Sequence, residues 1–412
     1  MNTDLTTPSP QGVASTEPGT PTIAVLGLGY VGLPVATAFA DAGFRVVGID
    51  VDRCRLDEVA ARVEPLSRPG AVNARQLTLT TSPGALAAAH VVFICVPTPL
   101  EYGEARHDAV RACASAFAQY GRADALVILE STVRPGFLEE LRPILGHGGG
   151  VALAYAPERI DPQPGEDGRR LRDVPRLVAG MDDSAQTRAV AVLRAVGVPV
   201  HPVPRKVAEY AKLLENSYRL LNVAFIDEFA ALCRADGVDP RAVVGAAATK
   251  PFGYQPFWPG VGAGGHCVAV DPAFLVHRGR ELAAPLGLLE SALTANAARP
   301  FTVAGTVAAG TDPGATVLVV GLTYKPGVPD TRESGALVAA RALAGMNRRV
   351  IAHDPLVGVP PDLEGVGLTA GLESADAVVL LVRQPDALVA RLLLSGLPMF
   401  DATGTLPGAT EV

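Results

Sequence analysis

The sequence predicts an α/β fold, with two doubly wound parallel-sheet domains joined by a long central helix and a helical middle domain. Three observations carry this prediction. Short apolar runs alternate with Ala-rich helical stretches from Thr22 to about Pro199, which is typical of a parallel sheet. A helical periodicity replaces the alternation between Lys206 and Arg234. A second alternation begins at Thr316.

The first alternating unit opens with the predicted strand Thr22–Leu26, the glycine loop Gly27–Gly32, the helix Leu33–Ala42 and the strand Arg45–Ile49. Further apolar runs of strand length follow at Val91–Val96, Ala125–Leu129 and Val151–Tyr155. We expect these runs to pair in one sheet, because strands that alternate with helices form parallel βαβ units.

The predicted central helix carries apolar residues on two sides. At about 100° per residue, one stripe contains Leu214, Tyr218, Leu221, Phe225, Phe229 and Leu232, and the opposite face contains Val223, Ile226 and Ala230. We therefore expect this helix to be buried on both sides. Such helices commonly join domains or pack against another subunit.

The second alternating unit repeats the opening of the first. It comprises strand Val317–Val320, loop Gly321–Arg332, helix Ser334–Ala344 and strand Arg349–His353. The apolar runs Ala377–Val382 and Leu397–Phe400 continue it. The expected organisation is a disordered tail at 1–21, a Rossmann-like domain at 22–199, a helical domain at 200–300 and a second Rossmann-like domain at 301–412.

Composition excludes several classes of protein. A net charge of -7 provides no basic stripe for nucleic acid, and no apolar run approaches the ~20 residues of a membrane span. The Thr- and Pro-rich start lacks the basic and apolar regions of a signal peptide. Five scattered cysteines without a CxxC pair favour a reducing cytoplasm, and seven histidines without ligand spacing predict no metal site.

The glycine loop fits the GxGxxG pattern with Gly27, Gly29 and Gly32. Such glycines let backbone amides approach a pyrophosphate at the start of a helix. Asp50 ends the second strand, where a carboxylate can accept the ribose 2′-OH and repel a 2′-phosphate. The pattern favours NAD over NADP as cofactor; the alternative is a purely structural turn.

Cys267 lies in a glycine-rich loop, Gly260–Cys267, before Asp271-Pro272, which has the appearance of an N-cap and first helical residue. A cysteine near a helix start can have a depressed pKa and act as a nucleophile. Most cysteines are small core residues, and this context alone leaves the two possibilities even.

Five polar residues follow predicted strands or share a helix face. Lys212 and Asn216 are four residues apart, so they could stabilise an alkoxide together or form a solvated edge. Glu158 is an acid/base candidate, although a salt bridge to Arg159 is the preferred interpretation. Thr132 could position water or cofactor, and Lys325 in its strand-end loop could meet a phosphate.

Together these segments resemble the UDP-glucose/GDP-mannose dehydrogenase family from Ile23 to about Asp401. The matching stretches, in order, are GLGYVGLP, FICVPTPL, LESTVRPG, YAPERIDP, AKLLENSYRLLN, PGVGAGGHCVAVDP and GLTYKPGVPDTRES. The stretch AAATKPFGYQPFWPG looks most like the UDP-N-acetylglucosamine 6-dehydrogenase branch.

The resemblance implies a four-electron oxidation of the sugar C6 alcohol to a carboxylate with two NAD+. Cys267 would capture the aldehyde as a thiohemiacetal that is oxidised to a thioester, and Lys212 and Asn216 would stabilise the oxyanion. Asp271 and Glu158, with Thr132, would manage protons and the hydrolytic water. UDP-glucose, UDP-N-acetylmannosamine or GDP-mannose are the alternative substrates.

The resemblance also implies binding residues. The cofactor positions are Gly27, Gly29, Tyr30, Val31, Gly32, Asp50, Arg55, Thr98, Thr132 and Arg332. The nucleotide-sugar positions are Arg159, Ile160, Lys212, Asn216, Arg219, Lys250, Gly262, Tyr324 and Lys325, with the UDP moiety assigned to the domain at 301–412. Lys250 lies in a segment that reaches a neighbouring subunit in the family, which implies a homodimer through the central helix.

Two departures from the family pattern and two competing functions remain open at this point. The stretch Arg62–Leu79 is shorter than the family's usual loop, and Thr403 replaces an Arg that contacts the nucleotide in many members. A two-electron hydroxyacid dehydrogenase would share the first domain without needing a nucleophile. A non-catalytic NAD-binding protein could keep Asp50 and dispense with Cys267.

Overall fold

The structure, a computed structural model, describes residues 20–63, 76–101, 103–160 and 171–412. Most of the predicted tail at 1–21, the interior of Arg62–Leu79 and the last two residues of YAPERIDP lie outside the described residues. By contacts the chain forms two compact units. The first takes in described residues within 1–98, 106–161 and 169–209, and the second those within 99–105 and 210–412.

The strands, in chain order, are β1 (Thr22–Leu26), β2 (Arg45–Ile49), β3 (Leu77–Thr80), β4 (Val91–Ile94), β5 (Leu100–Glu101), β6 (Glu104–Ala105), β7 (Leu126–Leu129), β8 (Ala152–Tyr155), β9 (Arg176–Gly180), β10 (Val200–Pro202), β11 (Thr316–Val320), β12 (Arg349–His353), β13 (Glu364–Gly365), β14 (Ala377–Leu380), β15 (Met399–Asp401) and β16 (Thr410–Glu411). The α-helices are α1 (Gly32–Asp41), α2 (Arg53–Val63), α3 (Asp108–Tyr120), α4 (Phe137–Ile144), α5 (Asp183–Ala195), α6 (Arg205–Ala235), α7 (Pro240–Ala247), α8 (Asp271–Glu281), α9 (Gly287–Ala309), α10 (Gly335–Gly345), α11 (Leu368–Ser374) and α12 (Asp386–Leu394).

The first unit contains an eight-stranded sheet with the order β3-β2-β1-β4-β7-β8-β9-β10. Neighbouring strands are parallel except β8 and β9, which run antiparallel. The central strands β4 and β7 are buried along their whole length, as expected of parallel strands covered by helices on both faces. The rings of Phe39 on α1 and Phe93 on β4 lie 5.2 Å apart in the core beneath β1.

The second unit contains a six-stranded parallel sheet with the order β13-β12-β11-β14-β15-β16. Its core includes the fully buried strand β11 and the inner faces of α9 and α10. A separate helical core joins α6, α8 and α9 through Leu213, Leu220, Phe274 and Leu289. The predicted fold class, two Rossmann-like parallel-sheet domains with a helical middle region, is confirmed.

The central helix departs from its prediction in one respect. It spans 31 residues, and Leu213, Leu220 and Ala224 face the helical core. The apolar stripe is instead largely exposed, with Leu214 at 64%, Phe225 at 63% and Leu232 at 65% of their accessible surface. Burial on both sides is therefore wrong for the single chain, because α8 and α9 cover one face only.

Most other predicted elements begin and end within two residues of the observed ones. The domain boundaries at 199/200 and 300/301 remain a proposal. None of the helices among the described residues has an apolar stretch long enough to cross a membrane.

Candidate active site

The glycine loop between β1 and α1 is closed on its inner side and open on its outer side. Gly27 has a φ of +85°, and a Cβ there would lie 2.9 Å from the carbonyl oxygen of Cys95. A Cβ at Gly32 would collide with the Gly27 carbonyl, whereas one at Gly29 meets nothing within 4 Å. Gly27 and Gly32 are thus needed for close packing, and the space beside Gly29 fits a group that approaches the backbone.

The N-terminus of α1 is the second feature of this loop. No acidic residue occupies its first turn, and Val31 at the N-cap makes no side-chain capping bond. The amides and the positive end of the helix dipole therefore remain suited to an anion. The negative charge of a dinucleotide pyrophosphate suits this site.

Asp50 also braces the loop. Its Oδ2 accepts a hydrogen bond from Leu28 N at 2.8 Å, and its Oδ1 accepts from Asp52 N at 3.0 Å. Arg55 forms a third hydrogen bond to this region, since its Nε donates to the Leu28 carbonyl at 2.9 Å. Each carboxylate oxygen retains acceptor capacity for a ribose hydroxyl. Tyr30 is 46% exposed at the loop surface.

The carboxyl ends of β7 and β8 meet a buried arginine from the start of β9. Arg176 is fully buried, its Nη1 lies 3.0 Å from Glu130 Oε2, and its Nη2 pairs with Glu158 Oε2. The salt bridge expected between Glu158 and Arg159 is thus replaced by one with Arg176. The antiparallel run of β9 explains the difference, because it brings Arg176 to the end of β8.

Glu158 organises the residues that follow it. Its Oε1 accepts from the backbone amides of Arg159 at 2.6 Å and Ile160 at 2.7 Å. The Arg159 guanidinium donates to the Pro175 carbonyl at 2.7 Å. Thr132 is half-buried and Thr98 is buried in the same unit.

In the second unit, Cys267 is exposed at the end of its glycine-rich loop. Gly264 and Gly265 allow the loop to pack against Tyr324, since a Cβ at Gly265 would lie 2.6 Å from the tyrosine ring. Burial lowers the pKa of His266, and the positive charge of nearby Arg332 lowers it further. The residue before the cysteine is therefore a neutral imidazole at neutral pH.

Three side chains outside the predicted set anchor this loop. Asn296 on α9 accepts from Ala263 N at 2.6 Å and donates to Ala263 O at 2.9 Å. Arg299 donates to Gly260 O at 2.8 Å, and Asp227 on α6 accepts from Gly260 N at 2.8 Å. These bonds fix the backbone that presents Cys267.

Lys212, Asn216 and Asp271 form a polar cluster, and Asp271 lies four residues after this cysteine. Asn216 Nδ2 donates to Asp271 Oδ2 at 2.6 Å, and Lys212 Nζ lies 4.0 Å from the same oxygen. Lys212 and Asp271 are both buried. The Asp271 amide donates to the Cys267 carbonyl at 2.9 Å, so one turn of backbone joins cysteine and carboxylate. An ammonium and an amide so placed can stabilise an oxyanion.

Asp271 is not the N-cap that its sequence context suggested. Val270 is the N-cap of α8, and Asp271 and Pro272 are its first two helical residues. The Asp271 carboxylate contacts Asn216 and Lys212. The prediction was wrong by one residue because an acid before proline suits either position.

The loop after β11 carries further predicted residues. Asp354 accepts from Leu322 N at 2.7 Å, which repeats the role of Asp50 at the first loop. Tyr324 and Lys325 are partly buried there. Arg332 Nη2 pairs with Asp330 Oδ2 at 2.7 Å, and its role in cofactor binding stays a prediction.

Three other predicted residues and one departure from the family pattern lie in the second unit. Arg219 and Lys250 are exposed, and Lys250 Nζ lies 5.2 Å from the centre of the Phe252 ring. Gly262 has a φ of +88°, which favours glycine. The Thr403 hydroxyl donates to Asp401 Oδ1 at 2.7 Å, so this short side chain folds back onto its own strand.

Sequence reasoning missed Arg176, Asp227, Asn296 and Arg299. The available signal was weak but real, since Arg176 is a charged residue at the start of an apolar run and Asp227 interrupts an apolar face of α6. Asn296 and Arg299 lie in an Ala-rich helical segment, where polar residues are normally read as solvated.

Three models of one protein family match the chain. The NAD binding domain of the UDP-glucose/GDP-mannose dehydrogenase family matches residues 21–196, the central domain matches 206–298 and the UDP binding domain matches 318–401.

Individual relatives agree with these matches. The chain is 32% identical to a UDP-N-acetyl-D-mannosamine dehydrogenase of Pyrococcus horikoshii over 88% of this chain and 90% of the relative. It is also 32% identical to a UDP-N-acetyl-D-glucosamine 6-dehydrogenase of Pseudomonas aeruginosa, over 84% and 86%. Among solved structures, a UDP-glucose dehydrogenase of Pyrobaculum islandicum has a TM-score of 0.82 at 28% identity, covering 95% of this chain and 96% of that one.

Proposed function

Since this chain belongs to the UDP-glucose/GDP-mannose dehydrogenase family, we propose that it oxidises C6 of a UDP-N-acetylhexosamine from alcohol to carboxylate. The matched NAD and UDP binding domains identify the cofactor and the nucleotide class of the substrate. The N-acetylhexosamine and the covalent mechanism are the parts that we propose.

One observation carries the mechanism. Cys267 is an exposed cysteine on an anchored loop, one helical turn from a cluster of Lys212, Asn216 and Asp271. A cysteine that only fills a core is expected to be buried, whereas a nucleophilic cysteine must be accessible to its substrate. This favours the nucleophile among the two interpretations of Cys267.

The residues of the first unit fit the cofactor. Gly27, Gly29 and Gly32 with the start of α1 would hold the pyrophosphate, and Asp50 the ribose. When bound, NAD+ accepts one hydride in each of two oxidations. The further proposed cofactor residues are Tyr30, Val31, Arg55, Thr98, Thr132 and Arg332.

The chain's own residues perform the remaining chemistry. The Cys267 thiolate adds to the C6 aldehyde carbon, forming a C–S bond and leaving the charge on oxygen, where Lys212 and Asn216 stabilise it. After C6 loses a hydride, the carbon is a thioester. Water then attacks this carbon, the C–S bond breaks, and the thiolate and a carboxylate are released. Asp271 and Glu158, with Thr132, are the proposed groups for proton transfer.

The sugar is proposed from the sequence and the relatives together. The stretch around Lys250 looks like the UDP-N-acetylglucosamine branch, and relatives named for the gluco and the manno epimer are equally identical to this chain at 32%. We therefore propose an N-acetylhexosamine, gripped by Arg159, Ile160, Lys212, Asn216, Arg219, Gly262, Tyr324 and Lys325.

We also propose a homodimer through the central helix, in the cytoplasm. The exposed stripe with Leu214, Tyr218, Phe225 and Leu232 is a contiguous apolar surface of one helix, and such surfaces mark protein interfaces. A second copy of this chain is the proposed occupant, with Lys250 reaching the site of the partner.

The test is to incubate purified protein with NAD+ and, separately, UDP-N-acetylglucosamine, UDP-N-acetylmannosamine, UDP-glucose and GDP-mannose, following NADH absorbance. We expect two NADH per sugar, with the fastest turnover on one of the two N-acetylhexosamines. One NADH per sugar would support the two-electron alternative, and faster turnover of UDP-glucose or GDP-mannose would contradict the proposed substrate class.

A further inference from the structure

Three neighbouring strands bring Glu130, Arg176 and Glu158 together at one edge of the first sheet. Glu130 follows β7, Glu158 lies three residues after β8, and Arg176 opens β9. The side chains of Glu130 and Arg176 are fully buried, and that of Glu158 is 12% exposed. None of the functions proposed above uses Arg176 or Glu130.

The contacts of Arg176 are directional. Its Nη2 pairs with Glu158 Oε2, while its Nη1 donates to the Ala156 carbonyl at 3.2 Å and lies 3.0 Å from Glu130 Oε2. A planar guanidinium can hold both carboxylates and the carbonyl at once, which a single ammonium cannot do.

The second carboxylate oxygen of Glu158, Oε1, faces the backbone of the next two residues. Oε1 accepts from both the Arg159 and the Ile160 amide. Arg176 and these two amides therefore hold the carboxylate from opposite sides, and rotation of the side chain would break all three bonds. The conformation at 158–160 depends on where Arg176 is held.

Glu130 keeps the arginine in place at a cost. Both of its carboxylate oxygens are buried without a hydrogen-bond partner in the described part of the chain, so its contact with Arg176 is an ion pair without a hydrogen bond. Two carboxylates also share one guanidinium. Removing a buried arginine would leave uncompensated negative charge. Burying these charged groups together costs folding free energy. Such a cost is expected where a side chain must be held in one position.

We infer that Arg176 is a positioning residue, which holds the Glu158 carboxylate on the amides of Arg159 and Ile160 and thereby fixes the segment that grips the nucleotide-sugar. The inference rests on the proposed function for the role of that segment, but the geometry it asserts can be measured without substrate.

The first measurement is hydrogen–deuterium exchange of the 156–160 fragment in the full chain. Arg176→Lys should speed exchange of the Arg159 and Ile160 amides by about tenfold or more, because the carboxylate that accepts from them is released. Arg111→Lys is the matched control, since Arg111 pairs with Glu140 at 2.8 Å in the same unit and should leave this exchange unchanged.

A double-mutant cycle separates positioning from general destabilisation. Glu158→Ala should speed the same exchange, and adding Arg176→Lys to it should have no further effect. Independent, additive effects, or unchanged protection in a folded Arg176→Lys protein, would overturn the inference. If Arg176→Lys does not fold, Glu130→Gln/Arg176→Gln leaves no buried charge unpaired at Glu130 and should give the same loss of protection; retained protection there would also overturn it.

Kinetics provides the second readout. Arg176→Lys should raise the KM for the nucleotide-sugar by about tenfold while leaving the KM for NAD+ unchanged, a division that unspecific unfolding would not produce. Equal changes in both KM values would contradict the inference. If the parent protein oxidises no nucleotide-sugar, the proposed function fails, whereas the exchange result still decides the role of Arg176.

Discussion

Asn216 donates a 2.6 Å hydrogen bond to the carboxylate of Asp271, linking the middle of α6 to the first turn of α8. Lys212 lies one helical turn before Asn216 and approaches the same carboxylate oxygen at 4.0 Å. The Asn216 amide thus contacts the Asp271 carboxylate on one side, and the proposed mechanism places the substrate oxyanion on the other. This arrangement leaves its other N–H available to an oxyanion.

Asn216→Ala should lower turnover by ~10²-fold, which is typical for the loss of one oxyanion donor. It should leave NAD+ affinity unchanged, because the cofactor residues of the glycine loop belong to the first unit. The measurement is steady-state NADH production with calorimetric NAD+ binding. Asn222→Ala on the same helix is the control, since within the described residues its side chain donates to the Tyr218 carbonyl and makes no contact with Asp271. An equal loss there would contradict the role of Asn216.

How much of this site the sequence could predict depends on the range of the interactions. Gly27, Gly32 and the start of α1 are encoded within a dozen residues, and the structure places them as expected. Arg176 pairs with Glu158 across 18 residues and two strands, so no local pattern reveals it.

The central helix shows a second limit. The periodicity of apolar residues in α6 indicates that the helix has apolar faces, but it does not specify which elements cover each face. Leu213 and Leu220 face the chain's own core, whereas Phe225 and Leu232 are exposed in the single chain. The distinction depends on neighbours that are distant in sequence.

Asp50→Arg should raise the preference for NADP over NAD, because it removes the 2′-OH acceptor and adds a phosphate partner. The structure adds a second expectation. The variant also loses the acceptors of the Leu28 and Asp52 amides, so its unfolding free energy should fall by about 1–3 kcal/mol. The checks are the KM ratio and urea unfolding. Asp52→Arg makes the same charge change nearby, and a matching shift in coenzyme preference there would point to general electrostatics.

Phe225→Glu should convert the proposed dimer to monomers, because a charge would be buried in an apolar interface. Light scattering on a sizing column measures the mass directly. Leu394→Glu is the control, since Leu394 is 86% exposed on α12, which is not part of the proposed interface. A parent protein that is already monomeric, or a dimeric Phe225→Glu variant, would contradict the proposed interface.

Glu130→Gln should change how stability depends on pH. Burial raises the pKa of Glu130 to about 7 from 4.5, with Glu158 adding to the shift and Arg176 opposing it. The folded protein therefore binds more protons than the unfolded chain between these values, so this group's contribution makes stability fall as pH rises toward 7.

In Glu130→Gln this decrease in the free energy of unfolding with rising pH should disappear. Urea unfolding of parent and Glu130→Gln at pH 5 and pH 8 gives the comparison, and the parent should lose more stability between them. Besides Arg176 and Glu158, the Cys95 thiol interacts with Glu130. Burial raises the pKa of this thiol well above its ordinary value, so it stays neutral over this range. Identical pH dependence in both proteins would show that Glu130 is already ionised at pH 5.

Cys267→Ser tests the covalent mechanism. A serine hydroxyl is far less acidic than a thiol, so little alkoxide is available near neutral pH, and an oxygen ester is a poorer acyl donor to water than a thioester. Turnover should fall by ~10³-fold or more, equivalent to roughly 4 kcal/mol of transition-state stabilisation.

The outcome also separates the two interpretations of this cysteine. Cys267 is exposed, so replacing sulfur by oxygen should leave the thermal midpoint and the binding of NAD+ and UDP-sugar nearly unchanged. A core-filling cysteine would show the reverse, a lower midpoint with turnover per folded molecule preserved. Cys54→Ser alters another exposed cysteine and should change neither quantity. Because only the second oxidation needs the sulfur adduct, Cys267→Ser should also release aldehyde, detectable by trapping with a hydrazine, in place of part of the carboxylate. A well-folded Cys267→Ser protein that still makes two NADH per sugar at the parent rate would refute the thioester and leave Lys212, Asn216 and Asp271 to act on a non-covalent hydrate.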